Sequence, residues 1–246
     1  MSAMFGVIDL DDGWTGGARE PGGDERKRWF HAPDTSPYAG HWLFKPRTEK
    51  MLLLAEVDPS FDTRSCVGHT VSAVRDVLAN SKVSGPINSI YADWPAFDVW
   101  AGYLVLDAWI ANTDRHAHNW GVLLDEASGK TCLSPSFDHG SALAAGDHET
   151  NRAKTVSGGS VEQWCERGHT FRFNGGARRD LIDLAAEAVS VCSVDARWHW
   201  VRQINAVDLA LCDDVIHRIP NMSESTRSFV STVVTTNRKR LCDALH

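Results

Sequence analysis

The densest apolar stretch of the chain lies between Pro95 and Ala111. Phe97, Trp100, Tyr103/Leu104, Asp107/Ala108 and Ala111 step by three or four, and Val99, Leu106, Trp109 and Ile110 widen the face. The helix this predicts is apolar nearly all round, so it is expected in the interior, as the central pillar of its domain. Pro95 suits its first turn. Val71, Val74 and Val77/Leu78 predict an earlier helix over residues 67–79. Three more are expected towards the end: one through Leu181, Leu184/Ala185 and Ala188/Val189, one through Val201, Ile204, Val207/Asp208 and Leu211, and one through Phe229/Val230, Val233/Val234, Asn237 and Leu241. Ser223 is the expected N-cap of the last.

Shorter apolar runs predict strands. Met4–Leu10 reads as the first, and Trp29–Ala32 and His41–Lys45 as a hairpin pair. Pro46 cannot donate to a ladder and ends the second of that pair directly after Lys45. Met51–Val57 reads as a buried strand or a crossing into a second lobe, followed by a linker from Asp58 to Ser65. Trp120–Leu124 and Lys130–Leu133 form a hairpin around a glycine-bearing turn. Between Ser141 and Gly176 the composition turns polar and glycine-rich, which fits either a substrate-binding segment ordered by a partner or a long surface connection.

The chain has 246 residues, 43% of them hydrophobic, enough for a substantial core. A formal charge of −7 and a pI near 5.8 argue against an extended phosphate-backbone footprint, so direct nucleic-acid binding is not expected. The short basic run Arg238-Lys239-Arg240 reads as a solvated cluster favoured by the helix dipole. No apolar run approaches the ~20 residues of a membrane span, and Met1–Leu10 lacks a basic start and a secretory core. The cytoplasm is the expected location. Six scattered cysteines with no C-x-x-C fit reduced, mostly buried thiols rather than a disulfide framework or a structural zinc site.

The candidate chemistry lies just beyond the apolar helix, in Ala111-Asn-Thr-Asp114-Arg-His116-Ala-His-Asn119. Asp114 and Asn119 are separated by four residues, and a second isolated acid, Asp138, follows in Ser136-Phe-Asp-His-Gly140. One carboxylate beside an acceptor hydroxyl, with an amide and another carboxylate on a magnesium ion, is the inventory phosphoryl transfer needs, and the spacing is that of a kinase catalytic loop. The intervening hairpin can return Asn119 and Asp138 to one edge, and Gly140 is expected to allow the turn that aims Asp138 at the cation. The glycine-rich stretch Thr15–Gly23 could fold over a triphosphate, or could be a surface loop.

With Asp114, Arg115, His116, Asn119 and then Phe137-Asp138-His139-Gly140, the chain resembles bacterial HipA-like serine/threonine kinases and the wider phosphatidylinositol-kinase-like fold. Trp42-Leu-Phe-Lys45-Pro46 looks like that family's strand carrying the ATP-binding lysine, and Pro220–Leu245 is similar to its last helix. The resemblance implies an α+β, two-lobed protein-kinase-like fold. Residues 1–65 would be a small β-rich N-lobe and residues 66–246 a larger, mostly helical C-lobe. It implies Asp114 as catalytic base, His116 and Lys45 as nucleotide-phosphate contacts, and Asn119 and Asp138 as ligands of Mg2+. ATP would be the cofactor and a Ser/Thr hydroxyl of a protein the acceptor. An antitoxin partner, as in toxin-antitoxin pairs, is implied by the resemblance alone.

The departure is a shortened N-lobe. Only Arg47–Ser65 separates Lys45 from the first C-lobe helix, and Glu49 and Glu56 are the nearby acids that could pair with the lysine. A nucleotide-binding pseudokinase is therefore the alternative reading. A metal hydrolase using His116, His118, His139, Asp114 and Asp138 is a further one.

Overall fold

The computed structural model describes residues 15–16, 30–32, 40–42, 54, 60–62, 65–125 and 130–246. The readings made on Met4–Leu10, on the glycine-rich stretch beyond Gly16, and on Lys45, Glu49 and Glu56 lie outside these residues. Strands β1 (Thr15–Gly16), β2 (Phe30–Ala32) and β3 (Gly40–Trp42) form an antiparallel sheet in that order. Phe30 pairs with Trp42 and Ala32 with Gly40, as the predicted hairpin requires, and Thr15 adds to its edge opposite His31. Leu54 is helical and fully buried, which corrects the strand expected there. A short run of leucines satisfies either geometry, and leucine and alanine favour the helix.

Helix α1 (Val71–Asn80) begins later than its apolar spacing suggests, because Thr70 caps it by accepting from the Ala73 N–H at 3.0 Å. Helix α2 (Ala96–Trp109) is the central pillar. Eleven of its fourteen residues are buried, and it packs on α1 and on three helices from the end of the chain, α5 (Leu181–Ser190), α6 (Val194–Asn205) and α8 (Glu224–Leu245). Its Asp98 carboxylate accepts from the Ser193 N–H and hydroxyl at 3.1 and 2.6 Å, fastening the start of α6 to the pillar.

Gly102 makes room for the indole of Trp200. A Cβ at position 102 would lie 2.3 Å from the ring, so Gly102→Ala is expected to lower stability by about 1–3 kcal/mol in urea titration despite alanine's better helix propensity.

Strands β4 (Val122–Asp125) and β5 (Lys130–Leu133) form the second predicted hairpin, with Val122 opposite Leu133. Ser84 bridges to it through the Leu133 N–H at 2.8 Å. The stretch after Asp138 is neither loosely ordered nor a plain surface connection. It contains α3 (Glu149–Ser157) and α4 (Val161–Glu166), and β6 (His169–Thr170) pairs with β7 (Arg179–Asp180). Polar anchors order it. Glu149 accepts from the hydroxyls of Ser223, Ser225 and Thr226 at the start of α8, which hold its carboxyl down at about 2, and Arg152 donates to the Ala144 and Asp147 carbonyls. Val161 and Cys165 supply an apolar anchor in a cluster with Phe229, Val230 and Val233 of α8.

The single helix expected through Leu211 is two. Asp208 breaks it by accepting from the Ala210 and Leu211 N–H groups at 2.9 and 3.1 Å, capping α7 (Leu209–Arg218) and leaving Leu211 exposed. Ser223 caps α8 as predicted, and all six apolar or amide positions of its stripe are buried. The basic run on α8 is not simply solvated. Arg238 donates to the Ile204 and Asn205 carbonyls at the end of α6, and Arg240 donates to Cys165 O at 2.8 Å and Asp180 Oδ2 at 3.3 Å. Orphan carbonyls at helix ends attract such side chains.

The cysteines are free, three buried and three half-buried. No helix among the described residues is long and apolar enough to cross a membrane.

Candidate functional site

The Asp114 loop is built on a buried ion pair that the apolar pattern concealed. Asp107, in the last turn of α2, takes the Arg115 guanidinium on both carboxylate oxygens at 2.6 and 2.7 Å, with both side chains 2% exposed. Asn112 donates to the same carboxylate at 2.8 Å. The other face of Arg115 reaches the Asn119 carbonyl, the Phe137 carbonyl at 3.4 Å and the Ser136 hydroxyl at 2.9 Å. One guanidinium thus ties together the end of the pillar, both ends of the loop and the segment that carries Asp138. An acid in the last turn of a strongly apolar helix, with an arginine eight residues on, was the available signal.

His139 completes this network. Ser136 Oγ lies 2.8 Å and Arg115 Nη2 3.4 Å from its Nε2, and since the guanidinium can only donate, that nitrogen accepts. Burial, reinforced by Arg115, lowers its pKa and keeps the ring neutral.

Asp114 is half-buried and faces a groove. Its Oδ1 accepts from Arg172 Nε at 2.6 Å, and its Oδ2 lies 3.8 Å from His116 Nε2. The Asn119 amide nitrogen donates to the Asp114 carbonyl at 2.8 Å, which leaves Oδ1 as the atom a hard cation would take. Asp138 is exposed and stands at φ +58, so the left-handed residue of this turn is the aspartate itself and not Gly140, as expected from the sequence. Aspartate tolerates that conformation through its short polar side chain. Asn119 and Asp138 are brought near one another by the two carbonyls, of Asn119 and Phe137, that share one Arg115 nitrogen. Lys45 lies outside the described residues. Among the described residues no group of three or more His, Cys, Asp or Glu side chains converges on a metal-sized site, so His116, His118 and His139 do not assemble with the aspartates as a zinc centre requires.

The chain is 24% identical to the serine/threonine-protein kinase CtkA of Helicobacter pylori over 147 residues, 58% of this chain and 44% of CtkA. The crystal structure of the H. pylori proinflammatory kinase CtkA matches with a TM-score of 0.57 and 18% identity, over 80% of this chain and 65% of that one. The fold is that of a kinase. The chain spans less than two thirds of the length of CtkA in either comparison, and no protein-family model matches it.

Within this kinase-like fold, residues 169–173, part of the stretch read from the sequence as a substrate-binding segment or a surface connection, lie against the Asp114 loop. Thr170 donates to the Thr113 carbonyl at 2.7 Å, beside Asp114. His69, 1% exposed, stacks on Phe173 with centroids 4.2 Å apart. Trp120 Nε1, which can only donate, lies 3.2 Å from His69 Nε2, so the proton sits on Nδ1 and is donated to the Arg172 carbonyl at 2.7 Å. Phe173 is wholly buried, whereas Phe171 is 52% exposed.

Burial depresses the His69 pKa to about 4, from the 6.5 of a free imidazole. The unfolded chain therefore binds a proton that the folded chain refuses between those values. The contribution of His69 to stability is fully present above pH 6.5 and is lost as pH falls towards 4, about 3 kcal/mol in all. Urea midpoints across pH 4–7 should show this slope for the native chain and a smaller one for His69→Gln.

Proposed function

We propose that this protein is an ATP- and Mg2+-dependent kinase of the HipA-like class, which transfers the γ-phosphate to a Ser or Thr hydroxyl of a protein. The observation that carries this reading is Arg115. It holds Asp114, Asn119 and the Asp138 segment on one rigid support at the end of the buried pillar, in a fold shared with a kinase. Positioning is most of what a protein contributes to phosphoryl transfer.

In this reading Asp114 orients the acceptor hydroxyl and takes its proton. Asn119 Oδ1 and the Asp138 carboxylate supply oxygen ligands to Mg2+, a hard cation that suits both. His116, beside Asp114, and Lys45 face the phosphates. Bound ATP and Mg2+ supply the transferable phosphoryl group and the neutralisation of its charge. Residues 1–65 would be the N-lobe and 66–246 the C-lobe. An antitoxin partner follows from the family likeness alone, and a cytoplasmic location belongs to the same proposal.

The test is incubation with Mg2+ and ATP labelled on the γ-phosphate, comparing the native chain with Asp114→Asn. Label on Ser or Thr in the native reaction only supports transfer. Equal labelling removes Asp114 from the mechanism. ATP binding without any labelling favours a pseudokinase.

A further inference from the structure

Two hollows near Asp114 adjoin one another, sharing Thr113, Ser141 and His169 in their linings. One also holds Asp147, Trp164 and Arg167 and is otherwise lined by small residues, Ala111, Gly140, Ala144 and Gly146. The other also holds Asp114, Phe171 and Arg172, and an acceptor that reaches Asp114 enters it.

Arg172 is the unusual feature of its wall. The guanidinium is 47% exposed, and its ion-pair partner among the described residues is Asp114. An acceptor hydroxyl drawn to Asp114 Oδ1 competes with Arg172 for that oxygen. The backbone cannot follow the side chain, because His69 holds the Arg172 carbonyl, Thr170 is tied to Thr113 and Phe173 is buried. Only the side chain can turn away, and an anion beside the acceptor hydroxyl would pair with it there more strongly than water does.

We propose that the acceptor carries an anionic residue, a carboxylate or a phosphate, directly beside its hydroxyl, and that Arg172 passes from Asp114 to that residue as the hydroxyl arrives. This inference rests on the transfer reading of Asp114. Arg172 is then a specificity-determining residue that also keeps Asp114 paired until an acceptor enters. The preference is confined to the flanking position. The adjoining hollow carries one charge of each sign, Asp147 and Arg167, and so offers no net preference there.

The experiment uses serine peptides that differ only in the flanking residue, Glu, phosphoserine, Gln or Lys, with labelled ATP and the native chain, Arg172→Met and Arg172→Lys. The expected kcat/KM for the Glu and phosphoserine peptides exceeds that for Gln by about fivefold, with Lys below Gln. Arg172→Met brings all four together, and Arg172→Lys retains most of the difference. A preference for phosphoserine with none for Glu assigns the site to phosphorylated acceptors. Equal rates for all peptides with the native chain, or a preference unchanged in Arg172→Met, overturn the inference and leave transfer intact. Absence of transfer to every peptide overturns the transfer reading instead. Fluorescence anisotropy of the same peptides then decides the charge preference alone, equal affinities overturning it. Thermal melts of both variants are expected to match the native chain, since the backbone anchors remain.

Discussion

Asp114→Asn is expected to lower phosphate incorporation by about 10²–10⁴-fold while leaving the chain folded. The amide has the shape of the carboxylate but cannot take the acceptor proton. The fold should tolerate the change, because the Asp114 ion pair with Arg172 is partly exposed and an asparagine oxygen can still accept from Arg172 Nε. Pairs of that exposure contribute under about 1 kcal/mol. The carbonyl of residue 114, which receives the Asn119 amide, is untouched by the substitution. Activity and stability therefore separate: labelling falls steeply, and the urea midpoint moves little. A variant that loses both would show that Asp114 acts mainly as a structural anchor.

Arg115→Met should behave in the opposite way, with a stability loss of about 3–5 kcal/mol. It leaves the Asp107 carboxyl group 2% exposed with only Asn112 to satisfy it, and it releases the Asn119 and Phe137 carbonyls and the Ser136 hydroxyl together. A domain of this size typically has ~5–15 kcal/mol in total, so the melting midpoint should fall by about 10 °C. Activity should disappear with it, since the loop and the Asp138 segment lose their common support. Adding Asp107→Leu is expected to recover a large part of the stability, because the unpaired buried carboxyl group is then gone. It should recover none of the activity, because the carbonyls stay untied. Calorimetry and labelling on the single and double variants distinguish the two effects. A double variant no more stable than Arg115→Met would show that the cost lies in the carbonyls and not in the stranded acid.

Much of the architecture was legible along the chain where burial follows period. The pillar was readable because its apolar residues surround the helix, the α8 stripe because Phe229, Val233, Asn237 and Leu241 recur at helical spacing, and the β4–β5 hairpin because a glycine-bearing turn interrupts two short apolar runs. Two features were not legible in this way. The break at Asp208 and the ordered stretch from Ala142 to Gly176 are decided by one capping carboxylate or by contacts with distant elements, and periodicity records neither. The basic run on α8 likewise finds its partners 34 and 60 residues away, at Ile204 and Asp180.

By itself the sequence singled out Asp114, His116 and Asn119 as candidates, because a short loop sets their spacing, and it determined the helix that supports the loop. Tertiary structure alone decided what holds that chemistry in place. Asp107 looked like one more position on an apolar face, and His69 and Arg172 had no apparent link to the loop. Their roles depend on burial, which makes an ion pair between α2 and the loop obligatory, and on a neutral imidazole that fixes the peptide opposite Asp114. Burial and pairing across long separations are properties of the packed chain, and the linear order of residues does not encode them locally.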